Sequence, residues 1–158
     1  MSSASSSGSW AVPGLVRRYD LTALSGLARG HSLARISAVT RTPAGTIRHR
    51  LLRLRPRIGA VNNAHAIAIA YRNGWLNELP PEPRPPTTLT PRQRQILTLM
   101  ADGLTNRQIG AQLGITAHTA LAHLRHIYQA LDSTPDPPTA LASRCHTVAL
   151  AYQHGHLT

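Results

Sequence analysis

The residues with the most chemistry to offer form the run RHRLLRLRPR, Arg48 to Arg57, which holds five arginines. A guanidinium group is planar and permanently charged, and it pairs bidentately with phosphate or with the O6/N7 edge of guanine. No acidic residue between Asp20 and Glu78 neutralises the run. The chemistry is therefore recognition of a polyanion. Ile47, Leu51 and Leu54 fall on one face of a helix, so Arg48 and His49 point the other way and are expected to face bases. Arg50, Arg53, Arg55 and Arg57 are expected at phosphates, where they add affinity and salt dependence without sequence choice.

The whole chain fits that reading. All 17 basic residues are arginine, against six acids, giving a formal charge of +11 and a pI near 11.6. The distribution is uneven: residues 1–76 carry eleven arginines and one acid, Asp20, whereas residues 77–158 carry six arginines and five acids. A strongly basic domain points to nucleic acid as partner.

Other chemistries find little support. Nine histidines invite a metal site, and His123 and His126 lie one turn apart, but no second pair with zinc-finger spacing accompanies them. The single cysteine, Cys145, excludes an intrachain disulfide and fits a reducing cytoplasm. Asp132 and Asp136 sit in a Pro-rich loop and share no helical face. Six scattered acids do not make a metal-dependent nuclease, and there is no Walker-type glycine loop. The expectation is a protein that is not an enzyme, with no cofactor and no bound metal. No apolar run approaches the roughly 20 residues that span a bilayer, so neither a membrane partner nor a membrane location is expected. Residues 1–13 begin with the Ser-rich MSSASSSGS, which reads as a disordered tail and not as a signal peptide.

The elements that must position the basic run follow from periodicity and punctuation. Leu21, Leu24, Leu27 and Ala28 recur at helical spacing and stop at Gly30. Ser32 caps a second helix with Leu33, Ile36 and Val39. Thr42 and Pro43 open a third helix, which Pro56 is expected to end. In VNNAHAIAIAYRNGWL the alternation of Ala and Ile leaves a strand open, but the Ala content and Gly74 favour a fourth helix. Residues 77–88, NELPPEPRPPTT, hold five prolines and read as a semi-rigid linker. Beyond it, Leu89 to Leu131 reads as three helices, the last two joined by a tight turn at Gly114. A Pro-rich loop and a final helix, from about Thr139 to Gln153, follow.

Sliding the chain against itself by 73 residues aligns Leu24, Ala28, Gly30, Ile36, Ala38, Ala44, Thr46 and Leu51 with Leu97, Ala101, Gly103, Ile109, Ala111, Ala117, Thr119 and Leu124. A slide of 81 aligns His65, Ala68, Ala70, Tyr71, Gly74 and Leu76 with His146, Ala149, Ala151, Tyr152, Gly155 and Leu157. The difference falls in the loop before the last helix, where insertions are tolerated. The chain reads as two copies of one four-helix module.

The second copy resembles the LuxR-type helix-turn-helix domain of quorum-sensing and NarL/FixJ-type regulators. The matching residues are Leu89-Thr90-Pro91-Arg92, Ile96-Leu97, Gly103-Leu104-Thr105-Asn106, Ile109-Gly110, Leu113-Gly114-Ile115, Thr119, His123-Leu124, Ile127-Tyr128 and Leu131. The resemblance implies a four-helix fold, transcriptional regulation and dimerisation through the fourth helix. By family position Arg107 and Thr119 would meet phosphates, and Thr46 is the counterpart of Thr119. Where the family commonly has Thr-Val-Lys-x-His, this chain has Thr119-Ala120-Leu121-Ala122-His123. Leu121 replaces a groove-contacting lysine, Gln93 and Gln95 replace the first helix's acids, and Arg48 stands where the first copy should carry that lysine. His118, Thr119, Ala122 and Arg125 would form the exposed face of the second reading helix, with Leu121 against a thymine methyl or a protein partner.

The expected fold is thus all-α: two tandem helix-turn-helix modules, at 14–76 and 89–158, joined by the linker 77–88. The expected function is sequence-specific binding of double-stranded DNA by a cytoplasmic transcriptional regulator. Two alternatives stay open: a module docking on another regulator or on RNA polymerase, and a sigma-factor-like promoter-binding region. Two arrangements also stay open. An extended linker reaches roughly 35–40 Å at about 3.1 Å per residue, enough to tether two units on separate half-sites. Otherwise the fourth helices, Ala64 to Tyr71 and Cys145 to Tyr152, pair through Ile67 and Val148, as an internal pseudo-dimer or between two chains in a homodimer.

Overall fold

A computed structural model describes residues 14–133 and 140–158. The proposed tail, residues 1–13, and the Pro-rich stretch 134–139 lie outside them. The described residues form eight helices and no strand: α1 Arg18–Ala28, α2 Leu33–Thr40, α3 Ala44–Ile58, α4 Asn63–Arg72, α5 Pro91–Ala101, α6 Asn106–Leu113, α7 Ala117–Ala130 and α8 Ala140–Gln153.

Short polar residues start most of these helices by satisfying amide groups that have no partner within the helix. Ser32, Asn62, Thr90, Thr105 and Thr116 each accept from the backbone N–H three residues on, at 2.9–3.2 Å. At Thr90 and Thr105 a glutamine returns the bond, Gln93 and Gln108 accepting from the cap's own N–H at 2.9 and 2.8 Å. Gln93, which replaces one of the family's first-helix acids, thus keeps the cap. Asp20 does the same for α1, accepting from Arg17 N–H at 2.9 Å.

Pro56 does not end α3, contrary to the expectation from sequence. The helix runs two residues further to Ile58 and stops at Gly59, which has φ +78°. A proline in the last turn removes one hydrogen bond, to the carbonyl of Leu52, on an exposed side of the helix where water can replace it. Pro43 is likewise the residue before the first turn of α3 and not its first helical residue.

Helices α1–α3 close around Leu24, Leu27, Ile36, Ile47, Leu51 and Leu54, and α5–α7 around Ile96, Leu97, Met100, Ile109, Leu124 and Ile127. Between these groups α4 packs on α8, α1 packs on α8, and α5 packs on α4. Ala64, Ala66, Ile67, Ala68 and Ala70 are all buried. A helix enclosed on nearly every side needs no broad polar stripe, so alanine and isoleucine can alternate along it. Ile67 and Val148, expected to pair α4 with α8, are both fully buried. Burying one such side chain contributes roughly 1.5–3 kcal/mol.

The α4–α8 contact is reciprocal. Tyr71 and Tyr152 stack with ring centroids 5.5 Å apart and planes 1° from parallel. Gln153 Nε2 donates to the Tyr71 hydroxyl at 2.8 Å, and Arg72 Nε donates to the Tyr152 hydroxyl at 2.7 Å. Each helix thus presents a tyrosine followed by a donor that reaches the other tyrosine. Arg72 also pairs with Asp102, at 2.9 Å.

Residues 77–88 do not cross open solvent; they lie along α8. Gln153 Oε1 accepts from Glu82 N–H at 2.9 Å, His154 Nε2 lies 2.7 Å from the Glu82 carbonyl, and His146 Nε2 lies 2.9 Å from the Glu82 carboxylate. Arg84 Nε donates to the Leu131 carbonyl at 3.1 Å. Burial opposes the charge on Glu82, yet the hydrogen bond and charge of His146, with the charge of Arg84, outweigh it and hold the carboxyl below its usual range.

Candidate nucleic-acid interface

Two helix pairs share one construction. In α6–α7 the turn passes through Gly114, with φ +71°, before Thr116 caps α7. In α2–α3 it passes through Arg41, with φ +54°, before Pro43 leads into α3. A left-handed residue is costly for any side chain larger than glycine, by roughly 1–2 kcal/mol, so Arg41 holds that conformation because the flanking helices impose it. In α6 the constraint on Gly110 is steric: a Cβ there would stand 2.6 Å from the Ile115 carbonyl oxygen. Only glycine lets α6 approach the turn this closely.

On α7, Ala120, Leu124 and Ile127 are buried and fix the helix's rotation. That rotation leaves His118, Thr119, Ala122 and Arg125 exposed and Leu121 and His123 half-buried. The Thr119 hydroxyl accepts from the Thr116 hydroxyl at 2.9 Å and stays accessible. Arg107 is exposed at the start of α6. These residues form one face of mixed character, with two guanidinium groups, a histidine, a hydroxyl and a methyl-lined patch.

On α3, Ile47, Leu51 and Leu54 are buried, and Arg48, His49 and Arg53 are exposed together. Thr46 is half-buried at the start of the helix. The remaining arginines are engaged within the chain. Arg50 lies over the Tyr19 ring at 4.1 Å, a cation–π contact that fixes its plane and leaves its N–H edge available. Arg55 donates twice to Asn63 Oδ1, at 2.9 and 2.7 Å. Arg57 pairs with the buried Asp20 at 3.2 Å. Arg55 and Arg57, expected at phosphates, therefore tie α3 to α4 and to α1.

Sequence reasoning missed Arg17, Tyr19 and Leu52. With His49, Arg50, Arg53, Pro56 and Arg57 they line a groove of about 740 Å³ where the start of α1 meets the outer face of α3. Asp20 was the available signal: it is the one acid in the first 76 residues, three positions after Arg17, and it folds the start of α1 against α3. Among the described residues no group of three or more His, Cys, Asp or Glu is placed to hold a metal ion. No helix among them is long and apolar enough to cross a membrane.

A helix pair of this geometry, with Gly110 and Gly114 at the turn, defines a helix-turn-helix domain. Residues 87–136 match the family of bacterial regulatory proteins described as the luxR family, and this segment is a LuxR-type helix-turn-helix domain. Similar proteins include the transcriptional activator protein BjaR1 of Bradyrhizobium diazoefficiens, 37% identical over 76 residues, which are 48% of this chain and 28% of that protein. The transcriptional regulatory protein LiaR of Bacillus subtilis is 38% identical over 78 residues, 49% of this chain and 35% of that one. The nitrate/nitrite response regulator protein NarL of Escherichia coli is 49% identical over 39 residues, 25% of this chain and 18% of that one. The chain thus spans about a third or less of the length of these relatives. No solved structure matches it.

Proposed function

We propose that this chain is a transcriptional regulator that binds double-stranded DNA through two helix-turn-helix units, one at α1–α4 and one at α5–α8, paired through their fourth helices. The observation that carries the reading is the reciprocal stack of Tyr71 on Tyr152, with Arg72 and Gln153 reaching across it. Two-fold dimers make contacts of this kind, where the same patch meets itself. The backbone supports the same reading. Gly30, Arg41 and Gly59 have positive φ, and so do Gly103, Gly114 and Asp132, each 73 residues on; Gly74 and Gly155 repeat the pattern at 81.

In this reading α3 and α7 are the two recognition helices. Arg48 and His49 face bases from α3, with guanine the natural partner of Arg48, while Arg53 and Arg17 meet phosphates. On α7, Leu121 and Ala122 offer apolar contact to thymine methyls, and Arg107, Thr119 and Arg125 hold the backbone. The pairing of α4 with α8, and the strap of residues 77–88 along α8, favour a rigid pair over two tethered units. Affinity for duplex DNA should fall steeply with salt, with Arg53→Ala reducing the salt slope by about one and Arg48→Ala relaxing sequence preference. Salt-independent binding, or none to any duplex, would refute the proposal.

A second reading has one observation in its favour. The second half is nearly neutral and has half-buried Leu121 in place of a groove-contacting cation, which suits docking on another regulator or on RNA polymerase. Substituting Leu121→Lys separates the two: tighter DNA binding supports a groove position, and loss of a protein partner without gain on DNA supports docking.

A further inference from the structure

Beside the Arg-rich groove lies a separate cavity of about 340 Å³ among α1, α2 and α3. The buried Ala23, Ile36 and Ile47 line it, together with the half-buried Thr40 and Thr42 and the exposed Thr22. The exposed Arg18 and the half-buried Tyr19 and Arg50 complete its lining. Each threonine hydroxyl already donates to a backbone carbonyl, of Arg18, Ile36 and Thr40 respectively. The hydroxyl protons are therefore already placed on acceptors and make no demand on a bound molecule. By contrast, among the described residues no carboxylate or other side-chain acceptor pairs with the guanidinium groups of Arg18 or Arg50.

On the correspondence of 73 residues, the positions that line this cavity carry different side chains in the other half. Ala23 and Ile47 face Ile96 and Ala120, an exchange of large for small that cancels. Thr40 and Thr42, however, face Leu113 and Ile115, which pack on the second core. The first half thus carries two smaller, hydroxylated side chains at these positions, Thr40 and Thr42 beside the cavity. Arg18 has Pro91 as its counterpart, so its charge is also particular to this half.

We propose that this cavity binds a small apolar monocarboxylate, its hydrocarbon body on Ala23, Ile36 and Ile47 and its carboxylate between Arg18 and Arg50. Volumes of roughly 300–1,000 Å³ with an apolar lining and a few converging polar groups are those of small-molecule sites. A carboxylate is the anion that fits a hydrocarbon-lined space with guanidinium groups in its lining, since it carries its charge at one end. Arg50 sits on α3 beside the exposed Arg48, His49 and Arg53. A carboxylate held there would neutralise part of the groove's charge and weaken binding of DNA. That regulatory step rests on the DNA-binding reading above; the binding step does not.

The test uses the full chain with phenylacetate, 4-methylpentanoate and octanoate as probes, followed by methyl NMR and calorimetry. At least one probe should bind saturably and shift the Ile36 and Ile47 methyl signals. Its neutral amide should bind about five- to tenfold more weakly, a difference that Arg18→Gln should largely remove. The double variant Thr40→Leu/Thr42→Ile, which introduces the other half's side chains, should lose about tenfold or more in affinity while its α5–α8 signals stay unchanged. Absence of saturable binding by all three acids, equal binding of acid and amide, or unchanged affinity in a folded double variant would overturn the site. Duplex affinity unchanged at saturating acid would overturn the regulatory step alone. A chain that binds the acid but no duplex would instead defeat the DNA-binding reading.

Discussion

Replacing Tyr71 and Tyr152 by leucine, singly and together, tests whether the two halves stand as one unit. Each single change removes the stack, worth about 1 kcal/mol beyond the area it covers. Each also removes one hydroxyl hydrogen bond, Gln153 to Tyr71 or Arg72 to Tyr152, worth about 1 kcal/mol. The Arg72 bond is exposed and belongs at the lower end of that range. Each single variant should then lose about 2 kcal/mol and the double variant about 3, because the stack can be lost only once. For a chain of this size the double variant's midpoint should drop by roughly 6–12 °C. Urea and thermal unfolding, followed by circular dichroism and tryptophan emission, measure these values. The wild type should show one transition, and the cycle a coupling of about 1 kcal/mol. Two separated transitions, or effects additive to within about 0.3 kcal/mol, would refute the reasoning, since the tyrosines would then not be touching.

Gly110→Ala should destabilise by about 1–3 kcal/mol, because its Cβ meets the rigid carbonyl of Ile115 at 2.6 Å; urea midpoints measure it, and Gly45→Ala, with open space around it, serves as the control. Asp20→Ala removes the cap of α1 and leaves Arg57 unpaired, at a cost of about 2–4 kcal/mol, whereas Arg53→Ala on the same helix should fall within about 0.5 kcal/mol of wild type. Glu82 has its folded carboxyl held below the usual range, so it stabilises the fold above the unfolded carboxylate's pKa, and that contribution disappears as pH falls through the lower, folded value. The stability gap between wild type and Glu82→Gln should therefore be full at neutral pH and vanish in acid, and a gap independent of pH would contradict the His146–Glu82 contact.

The helices were legible because their signals are local. Ser32 announces a helix start by chemistry confined to four residues, and Gly114 announces a turn by its own conformational freedom. The buried α4 was harder, since its alanines and isoleucines face protein on nearly every side and alternate as a strand would. The end of α3 was misjudged at Pro56, where an exposed last turn tolerates the missing N–H. The candidate site was legible only as far as the helix's own rotation. Arg48, His49 and Arg53 follow from the positions of Ile47, Leu51 and Leu54. Arg55 and Arg57 do not, because their partners, Asn63 and Asp20, are eight and 37 positions away. The groove with Arg17 and Tyr19 has the same cause: it joins residues whose proximity depends on how α1 crosses α3.

Selection of bound sites from random duplex DNA by the intact chain tests the central claim most directly. The proposal predicts two half-sites at one fixed spacing near a helical turn, about 10–10.5 base pairs centre to centre. One half-site should lose its guanine preference in Arg48→Ala, and the other should change in Leu121→Lys. Enrichment of a single half-site, of two at freely varying spacing, or of no sequence at all would contradict it.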